Sequence, residues 1–177
     1  MNTDFQNKLK LIEFKTIVQN RVATLGFADL FENKRVIVFS ATHVQTFSTW
    51  DHFKEYDAEY GNLQALGIDA IYAINSDDPM IGPSANRFSK QIIGLPDRQH
   101  QFVEAVATFY NIDRDLLDLA RRWQYAVIIN NGVPEKLFQT PLKKDMKWGI
   151  YKKLDYRYYG SKVNIVKKYL VDNTADI

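Results

Sequence analysis

Residues 125–138 read YAVIINNGVPEKLF, and this stretch contains the clearest structural signal in the chain. The run from Tyr125 to Ile129 is apolar and rich in β-branched residues, which is typical of a buried strand. Asn130-Asn131-Gly132 favours a tight hairpin turn, because asparagine and glycine tolerate the positive φ angles that such a turn requires. Pro134 to Phe138 then reads as a returning strand. The stretch therefore predicts two antiparallel strands joined by a short turn.

Upstream of this hairpin, strand patterns alternate with a helical pattern. Val36 to Ser40 and Ile68 to Ile74 are apolar runs typical of buried strands. Between them, apolar residues recur at helical spacing from Ser48 to Leu66, and Gly67 follows as a helix-ending residue. Two strands joined through a helix pair in parallel, whereas the hairpin adds antiparallel strands. This order predicts an α/β protein, a thioredoxin-like sandwich with a mixed central β-sheet and flanking helices.

The rest of the chain is predicted to contribute helices. Apolar residues follow an imperfect helical stripe in the first twenty positions, so residues 1–33 are interpreted as an N-terminal helical extension. A short helix is expected after Pro83, and another is expected from Asp97 onwards. A further helix, from Ser161 to Val171, is expected to close the domain.

No repeat or linker divides the chain, so residues 1–177 are expected to form a single domain. Residues 142–177 combine a basic, aromatic segment with the closing helix. Nine basic residues face only two acidic ones between Lys143 and Lys168, although the net charge of the whole chain is only +2. Such an excess is more often a solvated surface than a site for an anionic partner, and we do not expect nucleic-acid binding.

Composition excludes several classes of site. The chain contains no cysteine, so a disulfide, a thiolate metal site and a thiol nucleophile are all impossible. His43, His52 and His100 lack the spacing of a zinc motif, and neither a metal nor another cofactor is expected. No apolar run approaches the roughly 20 residues of a membrane span, and the first residues lack the pattern of a secretory signal. A cytoplasmic location without a membrane partner is therefore the expectation.

Three segments together resemble the small atypical peroxiredoxins, including the bacterial forms fused to glutaredoxin. Val36 to His52 corresponds to a strand, an active loop of pattern P-G-A-F-T-P-x-C-S and a histidine four residues past the cysteine. Leu66 to Asn75 is similar to the family pattern L-G-V-D-x-I-Y-x-x-S-V-N. Arg122 to Phe138, the most specific segment, is similar to R-S-W-R-Y-S-M-L-I-x-D-G-V-V-E-K-M-F. With shorter matches, the resemblance covers residues 35–170.

The resemblance implies a thioredoxin fold, thiol-dependent reduction of hydroperoxides and assembly into homodimers. In such proteins a cysteine thiolate attacks the peroxide O–O bond. A nearby threonine and backbone amides bind the peroxide, and an arginine stabilises the charged thiolate.

The position equivalent to that cysteine is occupied by a hydroxyl side chain in either of two alignments. Matching His52 to the family histidine places the cysteine at Ser48 and the threonine at Gln45, and we prefer this alignment. Counting forward from the preceding strand moves each position by one residue, which places the cysteine, the threonine and the loop proline at Thr49, Thr46 and Thr42.

The arginine position of the family is occupied by Gln124. Arg122 is two residues earlier and would share a face with Gln124 if the strand began that early, so Arg122 is an alternative for the arginine. The pocket positions stand at the start of a helix, whose free amide groups favour a small polar or anionic ligand. An ordinary capped helix start is the simpler interpretation.

A serine or threonine hydroxyl is a poor nucleophile unless a base lies beside it. His52 would lie one helical turn from Ser48, as in a hydrolase-like pair. No G-x-S-x-G motif accompanies these residues, so we favour an interpretation in which His52 only packs against the loop. No catalytic residue is therefore expected, and an enzyme with a hydroxyl-based reaction in the remodelled pocket is the alternative.

The residues favour a peroxiredoxin-like pseudoenzyme that binds a ligand or assembles with a partner, as a homodimer. An engineered Cys-to-Ser form of a thiol peroxidase would explain Ser48 but not Gln124, so natural divergence is the preferred explanation. A third class of function, an interaction between the basic C-terminal region and an anionic partner, predicts salt-dependent binding.

Overall fold

A computed structural model describes the chain over residues 2–41, 47–75, 81–112, 124–139 and 161–174. The helices of these residues are α1 (Asn2–Leu9), α2 (Phe27–Leu30), α3 (Phe47–Ala58), α4 (Tyr60–Ala65), α5 (Ile81–Phe88), α6 (Gln101–Phe109) and α7 (Val163–Thr174). The strands are β1 (Phe14–Val18), β2 (Arg21–Leu25), β3 (Arg35–Ser40), β4 (Ala70–Asn75), β5 (Ile93–Pro96), β6 (Tyr125–Asn130) and β7 (Val133–Gln139). None of these helices is long and apolar enough to cross a membrane.

The central sheet has five strands in the order β5-β4-β3-β6-β7. β3, β4 and β5 run parallel, and β6 is antiparallel to both β3 and β7, so the prediction of a mixed sheet is confirmed. Asn131 and Gly132 form the turn between β6 and β7 with φ angles of 49° and 75°, as their sequence predicts. The end of the sheet at which β3, β4 and β5 finish is called the carboxyl end below, and the opposite end is called the amino end.

Alternate residues of the strands face two separate cores. Ile37 and Phe39 of β3 belong to a core that also contains side chains of α3, α4, α5 and α7. Val36 and Val38 belong to a second core, which contains side chains of α1, α2 and α6. Because successive side chains of a strand point to opposite faces, a sheet covered on both sides needs apolar residues at every position. The predicted α/β sandwich is confirmed.

The helical pattern predicted from Ser48 to Leu66 forms two helices, α3 and α4, which are separated at Glu59. Gly67 follows with a φ angle of +83°, a left-handed conformation that glycine adopts without strain. The helices predicted after Pro83, after Asp97 and near the C-terminus correspond to α5, α6 and α7.

The N-terminal region differs from the helical extension predicted over residues 1–33. α1 ends at Leu9, and β1 and β2 form an antiparallel hairpin. Between Ile12 and Thr16, buried and exposed side chains alternate strictly, and this period of two suits a strand rather than a helix. Thr16 Oγ1 donates a hydrogen bond of 2.5 Å to the carbonyl oxygen of Gly94, so the hairpin lies against β5.

The sequence patterns do not predict β5. This strand has four residues, contains Gly94 and ends at Pro96, and glycine and proline are both unfavourable in strands. β5 is nevertheless paired in parallel with β4, from Tyr72 opposite Ile93 to Asn75 opposite Pro96. Pairing with a neighbouring strand, a tertiary contact, therefore decides the conformation of this segment.

Candidate functional site

The carboxyl end of β3 leads into the region where the sequence places its candidate pocket. Four of the predicted positions, Thr42, Gln45, Thr46 and Arg122, lie outside the described residues. Ser48 and Thr49, the two candidates for the cysteine position, lie in the first turn of α3. The structure describes their backbone but not their side chains, so the choice between the two alignments stays a prediction.

His52 is a buried side chain on α3, with only 3% of its surface exposed. Its ring packs between the rings of Phe39 and Tyr56, with centroids 4.7 and 5.3 Å away. The Nε2 atom lies 3.1 Å from the carbonyl oxygen of Ser161. Because a carbonyl oxygen only accepts hydrogen bonds, the ring proton of the neutral imidazole is on Nε2. Burial lowers the pKa of His52 to about 4, an effect that the bond to Ser161 partly offsets.

Tyr56 binds the same carbonyl oxygen from the next turn of α3. Its Oη donates a hydrogen bond of 2.8 Å to Ser161, and its ring stacks on Phe39 at 4.5 Å with an interplanar angle of 4°. Ser161 is completely buried and lies two residues before α7. His52, Tyr56 and Ser161 therefore join α3 to the start of α7, and we call these three residues the α3 clamp.

The α3 clamp uses one of the two ring nitrogens of His52. Ser48 and His52 are four residues apart on α3 and share one face of the helix, as the hydrolase-like hypothesis requires. The tautomer with Nε2–H bound to Ser161 leaves the lone pair of the ring on Nδ1. A proton transfer to Nδ1 would depend on the position of the Ser48 side chain, which the structure does not describe. The ring contacts and the bond to Ser161 give His52 a structural role, and the absence of a catalytic role stays a prediction.

Gln124 lies at the carboxyl end of the sheet, directly before β6. The register of β3 and β6 pairs Phe39 with Ala126, and its continuation places Gln124 opposite Ala41, the residue that follows β3. Gln124 is partly buried. The next residue, Tyr125, donates its backbone N–H to Ser40 Oγ at 2.9 Å. The topology thus brings the predicted arginine position to the same end of the sheet as the start of α3.

Two further polar residues at this end were not singled out by their sequence. Asn75 Nδ2 donates to the carbonyl oxygen of Ala41, and the Asn75 carbonyl accepts the N–H of Asp97 at 2.8 Å. The Asp97 carboxylate accepts the N–H groups of Phe102 and Val103 at 3.2 and 3.0 Å, and so gives partners to two N–H groups in the first turn of α6. Burial raises the pKa of Asp97, against the lowering effect of those N–H groups.

The missed residues have different signals in the sequence. Asn75 directly follows an apolar strand, and Asp97 precedes a helical pattern, so both positions are visible as boundaries. Tyr56 belongs to an apolar helical stripe, and a buried tyrosine hydroxyl needs a hydrogen-bond partner. Ser161 has no local signal, because its partner His52 is 109 residues away. In the described part of the chain, no three His, Asp or Glu side chains are grouped so that they could hold a metal ion.

Curated proteins similar to this chain are peroxiredoxins. A peroxiredoxin of Rhizobium etli is 30% identical over 116 residues, which are 63% of this chain and 63% of that protein. The hybrid peroxiredoxin hyPrx5 of Haemophilus influenzae is 28% identical over 138 residues, 76% of this chain and 56% of that protein. The matches thus span 56% and 63% of the length of these relatives. No protein-family model matches the chain.

Solved structures of peroxiredoxins have the same fold. An X-ray structure of a peroxiredoxin superposes with a TM-score of 0.69 and 24% identity, covering 92% of this chain and 95% of that one. Reduced Prx3 of Vibrio vulnificus, in complex with hydrogen peroxide, superposes with a TM-score of 0.64 and 18% identity over the same shares of the two chains. The resemblance found in the sequence is confirmed: this cysteine-free chain is similar in sequence to peroxiredoxins and has their thioredoxin fold.

Proposed function

We propose that this chain is a peroxiredoxin-like protein that does not reduce peroxides and acts through binding or assembly. The observation that carries the proposal is the absence of a thiol nucleophile, because none of the 177 residues is a cysteine. Thiol peroxidase chemistry requires a thiolate, and the positions matched to the family cysteine, Ser48 or Thr49, carry hydroxyl groups. The position matched to the arginine is Gln124, so the charge that would stabilise a thiolate is also missing there.

The α3 clamp supports a non-catalytic role over a hydroxyl-based reaction. A serine alcohol has a much higher pKa than a thiol and needs a base to become nucleophilic. His52 is the residue that the sequence offers as that base, and with its Nε2–H group bound to Ser161 only Nδ1 is left to accept a proton. Since burial also lowers the pKa of His52, a proton accepted from Ser48 would create a charged ring in an apolar environment.

The remaining pocket positions support binding rather than turnover. The first N–H groups of α3 have no partner within the helix, and together with Gln124 they favour a small polar or anionic ligand. Assembly as a cytoplasmic homodimer belongs to the same proposal, which takes it from the resemblance to peroxiredoxins.

Peroxide consumption tests this proposal directly. We expect the native chain to consume hydrogen peroxide or an alkyl hydroperoxide no faster than buffer, with dithiothreitol or thioredoxin as the reductant. Turnover by the native chain that is lost on heat denaturation would overturn the proposal. Labelling of Ser48 by a fluorophosphonate probe, detected by mass spectrometry, would favour the hydroxyl-based enzyme instead.

Cysteine variants show whether the missing sulfur is the cause. Ser48→Cys and Thr49→Cys introduce a single thiol at each candidate position, and Ser48→Cys/Gln124→Arg adds the missing cation. We expect the thiol introduced at position 48 to react with peroxide faster in the double variant than in the single one, because a nearby arginine favours the thiolate. Equal rates at both candidate positions, with no effect of Gln124→Arg, would contradict the assignment of the pocket.

A further inference from the structure

The turn between β6 and β7 carries the one Asn-Gly pair of the chain, Asn131-Gly132. In such a pair the asparagine can lose its side-chain amide to its own backbone. The nitrogen of Gly132 gives up its hydrogen and forms a bond to the side-chain carbonyl carbon of Asn131. The C–N bond of the side-chain amide breaks, and ammonia leaves with that hydrogen, so that a five-membered succinimide ring remains. Water then opens the ring to aspartate or isoaspartate and is the only co-reactant.

The residue that follows an asparagine controls the rate of this reaction. Four asparagines of the described residues have positive φ angles, namely Asn20 (63°), Asn33 (55°), Asn111 (53°) and Asn131 (49°). Asn131 is followed by glycine, whose nitrogen is not shielded by a side chain. Asn20, which also lies in a two-residue hairpin turn, is followed by Arg21. The sequence therefore singles out Asn131, and Asn20 is a matched reference within the same chain.

The folded conformation of the turn opposes the reaction. Ring closure requires the Cβ atom of Asn131 and the nitrogen of Gly132 to lie on the same side of the Asn131 Cα–C bond. The φ angle of 49° places Asn131 in the left-handed region. This region has ψ angles of about +30 to +60°, at which the two atoms lie on nearly opposite sides of that bond. The peptide group between the two residues must therefore rotate before it can react.

Contacts with the N-terminal segment hold this peptide group in place. The Asn131 carbonyl oxygen, which moves during the rotation, accepts a hydrogen bond of 2.9 Å from Nε2 of Gln6 on α1. Asn131 Oδ1 accepts the N–H of Asn33 at 2.9 Å. Gly132 is buried against Phe27, and a Cβ atom added to it would lie 3.2 Å from Cγ of Gln6. The segment that contains α1 and α2 thus fixes both residues of the reacting pair.

We propose that Asn131 is a deamidation site that stays unreactive while Gln6 holds the turn and reacts when the N-terminal segment opens. The inference goes beyond the proposed function, because it requires neither a ligand nor peroxide chemistry. Isoaspartate adds one methylene group to the main chain between residues 131 and 132, whereas the geometry of a two-residue turn is matched to its strands. The modified turn therefore loses its fit to Gln6, and the modification makes the opening irreversible.

Timed peptide mapping by mass spectrometry tests the proposal on the full chain. Mildly alkaline buffer is used, because it favours the loss of hydrogen from the Gly132 nitrogen. We expect Asn131 to deamidate at least about tenfold more slowly in the folded chain than in guanidinium chloride, because the folded chain reacts only while the turn is locally open. In the unfolded chain, Asn20 should react far more slowly than Asn131. An isoaspartate methyltransferase assay detects the isoaspartate product.

Variants show whether Gln6 is the residue that protects the site. Gln6→Ala removes the donor to the Asn131 carbonyl oxygen and should raise the rate in the folded chain about two- to fivefold, the factor that corresponds to one net hydrogen bond. Asn7→Ala is the matched control, because it removes an exposed amide from the next position of α1. Tyr56→Phe weakens the fold from the other end of the sheet and controls for unfolding of the whole chain. Both controls should keep the native rate.

Three results would overturn the inference. An Asn131 that stays intact in the unfolded chain would show that it is not a deamidation site. Equal rates in the folded and unfolded chains would show that the turn gives no protection. A rise for Gln6→Ala no greater than the rise for Tyr56→Phe would show that Gln6 does not control the opening. The peroxide assay tests the proposed function separately.

Discussion

The two ends of the central sheet hold their polar groups in different ways. At the carboxyl end, the α3 clamp and the bonds of Asn75 and Asp97 use buried groups that bind backbone atoms. At the amino end, Arg35 Nε donates to Glu135 Oε2 at 2.8 Å, and these two charged side chains are 21% and 23% exposed. The resemblance places peroxide chemistry at the carboxyl end. The comparison shows that side chains at the carboxyl end bind backbone atoms, whereas two charged side chains at the amino end bind each other.

The amino end also contains the hairpin turn from which the fold was predicted. Gln6 Nε2 donates to the Asn131 carbonyl oxygen at 2.9 Å, and Asn131 Oδ1 accepts the N–H of Asn33 at the same distance. Gly132 lies against the ring of Phe27. The turn is therefore held by the N-terminal segment as well as by its own strands.

Gly132→Ala is expected to have the largest effect, because it disrupts the amino end. The φ angle of Gly132 is +75°, and an added Cβ would lie 2.7 Å from Phe27 Cζ and closer still to Cε2. Left-handed strain and overpacking together predict a loss of about 2 to 5 kcal/mol in the free energy of unfolding.

Urea denaturation measures this loss, and Gly61→Ala is the control. Gly61 lies within α4 and has no neighbouring atom within 4 Å of an added Cβ. We therefore expect Gly61→Ala to stabilise the protein by about 0.5 to 1 kcal/mol. A loss of stability below about 1 kcal/mol for Gly132→Ala would mean that the turn relaxes easily and that the N-terminal segment does not hold it.

The second-largest effect is expected at the carboxyl end, where the stability contributed by the α3 clamp depends on pH. Burial lowers the pKa of His52 from 6.5 to about 4, so the unfolded chain binds a proton at a higher pH than the folded one. The stabilising contribution of neutral His52 is complete above pH 6.5 and is lost as the pH falls towards 4. The loss is on the order of 3 kcal/mol.

His52→Gln isolates this contribution from the titration of carboxyl groups. Glutamine keeps a donor for the Ser161 carbonyl but has no group that titrates between pH 4 and 6.5. Unfolding in urea at a series of pH values should show a smaller acid loss in His52→Gln than in the native chain. If the native chain and His52→Gln lose the same stability between pH 6.5 and 4, the acid loss does not come from His52.

Tyr56→Phe removes one of the two donors of the α3 clamp and keeps the ring that stacks on Phe39. His52 still donates to Ser161, so the carbonyl oxygen keeps a partner, and we expect a loss of about 1 kcal/mol in the free energy of unfolding. Tyr60→Phe is the matched control, since its hydroxyl has no hydrogen bond to another described residue. Equal losses for the two variants would show that the Tyr56 bond does not stabilise the fold.

The smallest effect is expected from the ion pair at the amino end. Glu135→Gln removes the charge that Arg35 binds and leaves a group that can still accept a hydrogen bond. Because both partners are partly exposed to water, we expect a loss of at most about 1 kcal/mol, and less at high salt. Asp4→Asn, in the more exposed Lys8–Asp4 pair, should change stability by only a few tenths of a kcal/mol. If Glu135→Gln loses as much unfolding free energy as acid removes through His52, the two ends of the sheet do not differ in the way expected here.

Local patterns in the sequence predicted the elements whose residues all face cores. β3 and β6 are continuous apolar runs, and the Asn131-Gly132 turn carries residues that accept positive φ angles, so each signal lies within a few residues. β1 was misread as helix, because the alternation from Ile12 to Thr16 covers only five residues inside a longer apolar pattern. β5 was missed because pairing with β4, and not its own composition, keeps it extended.

In the candidate site, too, local features could be predicted from the sequence and contacts between distant segments could not. The positions of Ser48 and His52 on one helix, and the packing role of His52, could be predicted from their spacing and from the resemblance to peroxiredoxins. The partner of His52 could not, because Ser161 is 109 residues away and is an ordinary serine in the sequence. Asn75 and Asp97 were visible only as boundaries, and their bond to each other depends on the neighbouring positions of β4 and β5.

By itself the sequence determined the elements available to this chain: which of its segments favour strands, which turn is tight, and that no thiol exists at any position. These properties are chemical or local, and they hold before the chain folds. The tertiary structure decided that His52 is buried beside the Ser161 carbonyl oxygen and that its pKa is lowered. It also decided that the Ser161 carbonyl oxygen binds both His52 and Tyr56. Burial, hydrogen-bond partners and surface shape arise only when distant segments come together, and this is the physical reason why they require the fold.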